Sequence, residues 1–112
     1  MTKIPDFSKL LGFDWDEANI NKNKEKHNVE YRECEEIFTN KPLVFIEDKQ
    51  HSQIENRWGA LGKTNKGRRL SIYFTIRSNK IRPISARDQS KKDRIAYKLA
   101  EKLSKRENKR KR

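Results

Sequence analysis

The chain has 112 residues, 32% hydrophobic and 39% charged, and its 28 Lys and Arg against 16 Asp and Glu give a formal charge of +12. That length suits one domain, and two Trp, three Tyr and five Phe offer a small core to a composition otherwise close to that of disordered segments. No run reaches the ~18 apolar residues of a membrane span, the opening MTKIPDFSKLLGF is too short and mixed for a signal peptide, and the single cysteine, Cys34, excludes an internal disulfide framework. A cytoplasmic protein without membrane association is expected.

Residues 1–12, with Pro5, read as a flexible arm, and the domain is expected to span residues 13–105. Asp16 is an N-cap candidate with Glu17 in the first turn, so Asp16 to Lys26 is predicted helical. Its apolar content is only Ala18 and Ile20, which leaves packing to Phe13 and Trp15. Cys34, Ile37 and Phe38 recur at three and four residues and predict a second short helix, stopped by Asn40, Lys41 and Pro42. LVFIED then reads as a buried strand, Lys49 to Gln53 as a loop, and residues 56–63 as a second strand. TNKGRR supplies a turn before LSIYFTI, where Leu70, Ile72, Phe74 and Ile76 alternate with Ser71, Tyr73, Thr75 and Arg77.

Ser78 and Asn79 predict a tight hairpin. Beyond it Ile81, Pro83 and Ser85 are expected on one face and Arg82, Ile84 and Ala86 on the other, with Pro83 marking an edge or bulge. Ser90 and Asp93 open a helix from Lys91 to about Lys105, in which Ile95, Leu99 and Leu103 recur every four residues. Residues 106–112, which lack an apolar side chain, are expected to form a disordered basic tail. The result is an α+β fold with two N-terminal helices, a four-stranded antiparallel meander sheet and a C-terminal helix, the helices able to cover one face.

The charge is uneven. Residues 1–60 carry 9 basic and 12 acidic side chains, residues 61–86 carry 7 and none, and residues 87–112 carry 12 and 4, so the balances are −3, +7 and +8. A strongly basic second half points to a polyanion, nucleic acid first, because neutralised phosphates release counterions. Cys34, His27 and His51 match no paired metal-ligand spacing, so neither a metal nor another cofactor is expected.

Metal-free RNA cleavage needs a group to take the 2′-hydroxyl proton, cations for the phosphorane, and an acid for the leaving oxygen. Lys26, His27, Arg57, Arg82, Arg87, Tyr73 and Tyr97 include these types. Ordinary structural roles compete with each. Lys26 and His27 would also suit a helix C-terminus, Arg82 and Arg87 could pair with Glu47 or Asp93, and a sheet tyrosine often only packs. Trp15 and Trp58 are expected in the core, and Cys34 as inert packing.

FDWD followed by Asn23, Lys26 and His27 resembles the F-x-W-D…N-x-x-K-H opening of the BrnT toxins. The similarity continues through VEYRECEEIF, LVFIED, the pair His51 and Ser52, and Arg57 with Gly62. It ends in IRPISARDQSKKDRIAY, which is similar to R-x-I-S-A-R…[DE]-x-x-x-Y. The resemblance implies a RelE-like fold and a metal-independent endoribonuclease toxin of a type II toxin-antitoxin system that inhibits translation. With the charge surplus after residue 60, this makes Lys26, His27, Arg57, Arg82 and Tyr97 the expected catalytic residues, and Arg87, Arg68, Arg69 and Tyr73 the expected RNA-binding ones. Its implied partners are RNA and a BrnA-like ribbon-helix-helix antitoxin that with it represses its operon through operator DNA; because an acidic antitoxin would compete for the same cations and itself dimerise, a 2:2 heterotetramer is expected. Asn19 stands where the family usually has lysine, Asn28 where it has glycine, and Asp88 with Gln89 where Arg-Ala is commoner. A noncatalytic nucleic-acid-binding module, or a degenerate toxin kept as corepressor, is the alternative.

Overall fold

The computed structural model describes residues 10–48 and 56–110; the expected loop, His51 and Ser52, and most of the arm lie outside these. Asp16 is extended and its carboxylate accepts from the Ala18 amide at 2.7 Å, which starts α1 (Glu17–His27). Asn28 stops α1 in the left-handed region (φ 53°), its amide bonded back to Asn23 and Lys24. Asparagine is one of the few side chains that tolerates that conformation. α2 (Tyr31–Ile37) follows, with the Glu33 carboxylate accepting from the Glu30 amide at 3.0 Å.

β1 (Val44–Glu47), β2 (Trp58–Lys63), β3 (Arg69–Arg77) and β4 (Lys80–Asp88) form an antiparallel sheet in chain order. The β3–β4 hairpin turns through Ser78 and Asn79, both with positive φ, as a two-residue turn matched to sheet twist requires. α3 (Lys91–Arg110) closes the chain. It continues past Lys105 because Lys, Arg and Glu favour helix and no Gly or Pro interrupts the sequence, so residues 106–110 are helix and not a disordered tail.

The layers differ from the expectation that helices cover one face. Trp58, Ala60, Leu70, Ile72 and Phe74 face α2, where they bury Val29, Cys34 and Ile37. Phe38 adds edge-on ring contact with Phe74 at 5.6 Å, and the two layers meet tightly at Gly62, where a Cβ would lie 2.8 Å from that of Ile37. Each large apolar side chain buried here contributes up to about 2 kcal/mol. α3 lies on the opposite face, over Leu61 and Ser71, both buried.

α1 covers neither face. It runs along the β4 edge, where Asn19 donates to the Pro83 carbonyl at 3.4 Å and Asn23 accepts from the Ala86 amide at 3.2 Å. The arm reaches that edge as well, since Leu11 donates to Asn79 O, Gly12 accepts from Ile81 N, and Asp14 donates to Ile81 O. Ordered pairing therefore begins before Phe13. β4 carries a bulge: Tyr73 pairs with Ser85 but Phe74 pairs with Pro83, which leaves Ile84 as the extra residue. The bulge reverses alternation, so Ala86 joins Ile81 and Pro83 in the core and Ser85 moves to the other face, against the sequence expectation for both.

Candidate active site

Lys26 and His27 occupy the last turn of α1, where Lys26 is exposed and His27 half-buried. Both cations favour the dipole at that end. Arg68 fastens the turn. Its Nε and Nη2 hold both oxygens of Asp88 at 2.7 and 3.2 Å, its Nη1 donates to Glu33 at 3.1 Å and to Asn28 O at 2.8 Å, and its Nη2 donates to His27 O at 3.1 Å. A guanidinium has five N–H groups, and all five are engaged. The Arg68 hydrogen bond holds the Asp88 carboxyl below its usual range, against desolvation. Arg68, expected among the RNA-binding residues, thus spends its donors on the α1 C-terminus, α2 and β4.

The sheet face turned away from α2 carries the other cations. Register puts Tyr73 opposite Ser85, Ser71 opposite Arg87, and Thr75 opposite Arg82. Arg87 is exposed and its guanidinium lies 5.6 Å from the Tyr73 ring centre, a cation–π distance; it has no carboxylate at ion-pair distance among the described residues. Arg57 precedes β2 and pairs with Asp48 at 3.7 Å. Arg82 reaches Asp14 at 3.3 Å and Asp16 at 3.1 Å, and so ties β4 to the start of α1. The Asp16 carboxyl is held low first by the Ala18 amide, with Arg82 adding to it.

The remaining two expected residues lie beneath α3. Arg69 forks onto Glu101 at 3.0 and 3.3 Å. Tyr97 is fully buried, donates to Pro42 O at 2.7 Å, and burial pushes its phenol up to about 12. It stays protonated and anchored near neutral pH. The expected catalytic set therefore divides: Lys26 and His27 at one end of α1, Arg82 at the other end some 16 Å away for an 11-residue helix, Arg57 beside β1, and Tyr97 inside. Arg87 shares the His27 end, since its neighbour Asp88 is joined through Arg68 to the His27 carbonyl.

Sequence reasoning missed the clamp at Arg68 and the edge-capping Asn19 and Asn23. Only the amide character of the two asparagines on a weakly apolar helix hinted at a polar surface to be met. Cys34 is buried, and burial lifts its thiol to about 12, so it packs and does not react. Among the described residues, no group of three or more His, Cys, Asp or Glu is placed to hold a metal ion, and no helix is long and apolar enough to cross a membrane.

The family model described as "Ribonuclease toxin, BrnT, of type II toxin-antitoxin system" matches residues 15–93. The fold is similar to the crystal structure of the Brucella abortus ribonuclease toxin BrnT, with a TM-score of 0.53 and 19% identity over 71% of this chain and 97% of that one. A comparison with curated proteins gives no match.

Proposed function

Because the chain belongs to the BrnT family of ribonuclease toxins of type II toxin-antitoxin systems, we propose that it cuts RNA internally without a metal, arrests translation in the cytoplasm, and is neutralised by an antitoxin. The observation that carries this reading is the exposed Arg87 guanidinium stacked on Tyr73, on the same sheet face as Ser85 and at the same end of β4 as Lys26 and His27. A phosphate can take the guanidinium fork while a neighbouring base stacks on the ring.

In this reading Arg87 binds the scissile phosphate and offsets the charge that grows on it as the 2′-oxygen attacks, while Arg57, paired with Asp48 beside β1, lies away from that phosphate. Lys26 and His27, at the adjacent helix end, move the protons to and from the two ribose oxygens. Arg82 and Tyr97 support this set from within the fold: the first fixes the start of α1, the second seats α3. Arg68 and Arg69 keep their carboxylates and hold the fold around the site. The antitoxin is a BrnA-like ribbon-helix-helix protein, the complex a 2:2 heterotetramer, and together they repress their operon at its operator DNA.

The separation of Arg82 and Tyr97 from Lys26 and His27 favours a second reading, a noncatalytic RNA-binding corepressor. Purified protein is incubated with total RNA in EDTA. Cleavage that His27→Ala and Arg87→Ala each reduce at least ~100-fold, with RNA affinity nearly intact for His27→Ala, supports the nuclease; RNA bound without cleavage, together with no growth arrest on induction, supports the corepressor and overturns the nuclease.

A further inference from the structure

Helix α3 is amphipathic in the unusual direction. The residues it turns toward the sheet, Asp93, Tyr97 and Glu101, recur every four positions and are held by Ser71 Oγ at 2.9 Å, Pro42 O at 2.7 Å and Arg69 at 2.9 Å. Its large aliphatic residues point the other way. Ile95, Leu99 and Leu103 also recur every four positions, yet remain 65%, 59% and 52% exposed. An aliphatic row left in water is an interaction surface by default.

The row's shape and charge select the occupant. At 100° per residue, Ile95, Leu99 and Leu103 span about 80°, a narrow seam that fits one partner helix better than the wide apolar face of an interfacial membrane helix. It has no aromatic residue of the kind that anchors such helices. The seam is bordered by Lys91, Lys92, Lys98, Lys102 and Arg106, all exposed. The helix's inward acids Asp93 and Glu101 are occupied, so a second copy would bring basic rims against each other. An acidic helix would meet opposite charge along the Lys91, Lys98 and Lys102 flank of the seam, while Ala96 and Ala100 on the other flank leave room for close approach.

We propose that the outer seam of α3 is the docking site for an acidic amphipathic helix of the antitoxin. This rests on the toxin reading above and deepens it, because the seam lies largely beyond residues 15–93 that the family model matches and across α3 from the side that meets the sheet. The antitoxin helix grips α3 through Leu and Ile against the seam, with Glu and Asp toward Lys98, Lys102 and Arg106. Binding there fixes the partner to the toxin by a contact that does not require the Arg87–Tyr73 face.

The probe is a BrnA-like antitoxin of the kind proposed above, titrated against this chain and against L99E/L103E and K98E/K102E. Because these side chains are exposed, all three toxins should fold with the same circular dichroism, and L99E/L103E should cleave RNA as the unaltered toxin does in the absence of antitoxin. The apolar double variant should bind the antitoxin at least ~30-fold more weakly. The charge variant should associate more slowly and lose most of its salt dependence. Antitoxin binding unchanged in both variants overturns the seam while leaving the toxin reading intact; no binding by the unaltered toxin, together with no RNA cleavage, overturns both. Self-association or binding to anionic phosphatidylglycerol vesicles that L99E/L103E abolishes assigns the seam to a second copy or to a membrane, and overturns the proposal as well.

Discussion

Replacing Arg68 by alanine should cost stability and leave the substrate face alone. The change removes five donated hydrogen bonds, leaves the Glu33 carboxylate with only the Glu30 amide among the described residues, and takes a partner from the Asp88 carboxylate and from the carbonyls of His27 and Asn28. Asp88 is 56% exposed and regains water readily, whereas Glu33 is 25% exposed and the Arg68 side chain itself 26%. Charge-assisted hydrogen bonds contribute about 1.5–3 kcal/mol each when well buried, and solvent discounts these toward the lower end. Since the bonds share one side chain, a total of about 2–4 kcal/mol is expected, a fall of roughly 10–20 °C in Tm for a domain this size. Arg68→Lys keeps the charge without the fork and should lose about half as much.

Urea unfolding followed by tryptophan fluorescence reads this directly, and the pH dependence supplies a second handle. The Asp88 carboxyl is held below its usual value by Arg68. Its contribution is therefore complete above about pH 4 and is lost as pH falls through the lowered folded value. The gap between parent and Arg68→Ala should shrink in that acid range. A loss under ~0.5 kcal/mol, accompanied by weaker RNA binding and a flatter salt slope, would refute the clamp and return Arg68 to the substrate.

Arg87→Ala should do the reverse, leaving Tm within about 1 °C while lowering RNA affinity and reducing the slope of log K against log salt by about 1, measured by filter binding. Gly62→Ala should cost about 1–3 kcal/mol in urea unfolding, because its Cβ would meet both the side chain and the backbone carbonyl of Ile37 at 2.8 and 3.2 Å; a neutral result would mean that α2 can move off the sheet freely. Cys34, buried and lifted to about 12, should resist a thiol reagent at pH 8 in the native protein and react at once in denaturant. Labelling of the native protein at the rate of a free thiol would show that the α2 layer opens.

Local patterns carried most of the fold. The alternation from Leu70 to Ile76 gave β3, the Ser78–Asn79 pair gave the hairpin, and Cys34, Ile37 and Phe38 gave α2, because each depends on neighbours within one strand or turn. The bulge at Ile84 was not legible, since Pro83 allowed either an edge or a bulge and β4 has both. The site was less legible than the fold for a related reason. Arg68 finds Glu33 at a separation of 35 residues and Asp88 at 20, and Tyr97 finds Pro42 at 55. No periodicity reports such distant partners, so an arginine destined for a carboxylate and one destined for a phosphate look alike in the sequence.

The way the N-terminal residues line β4 sets an order of events during synthesis. Leu11, Gly12, Asp14, Asn19 and Asn23 satisfy the outer edge of β4 in turn, yet Asn23 emerges 63 residues before its partner Ala86. An 11-residue helix with two apolar side chains has little reason to persist alone in water. The three pairings, all between consecutive strands, can zip as they appear, while the segment ahead of the sheet waits for the last of the four strands. Until then the newest strand of the growing sheet presents bare amides and carbonyls to any other extended chain. A ribosome stalled before β4 would release a chain whose β3 edge has no cover at all, so early truncations should be cleared by proteolysis or aggregate, whereas truncations after Tyr97 should retain the closed sheet.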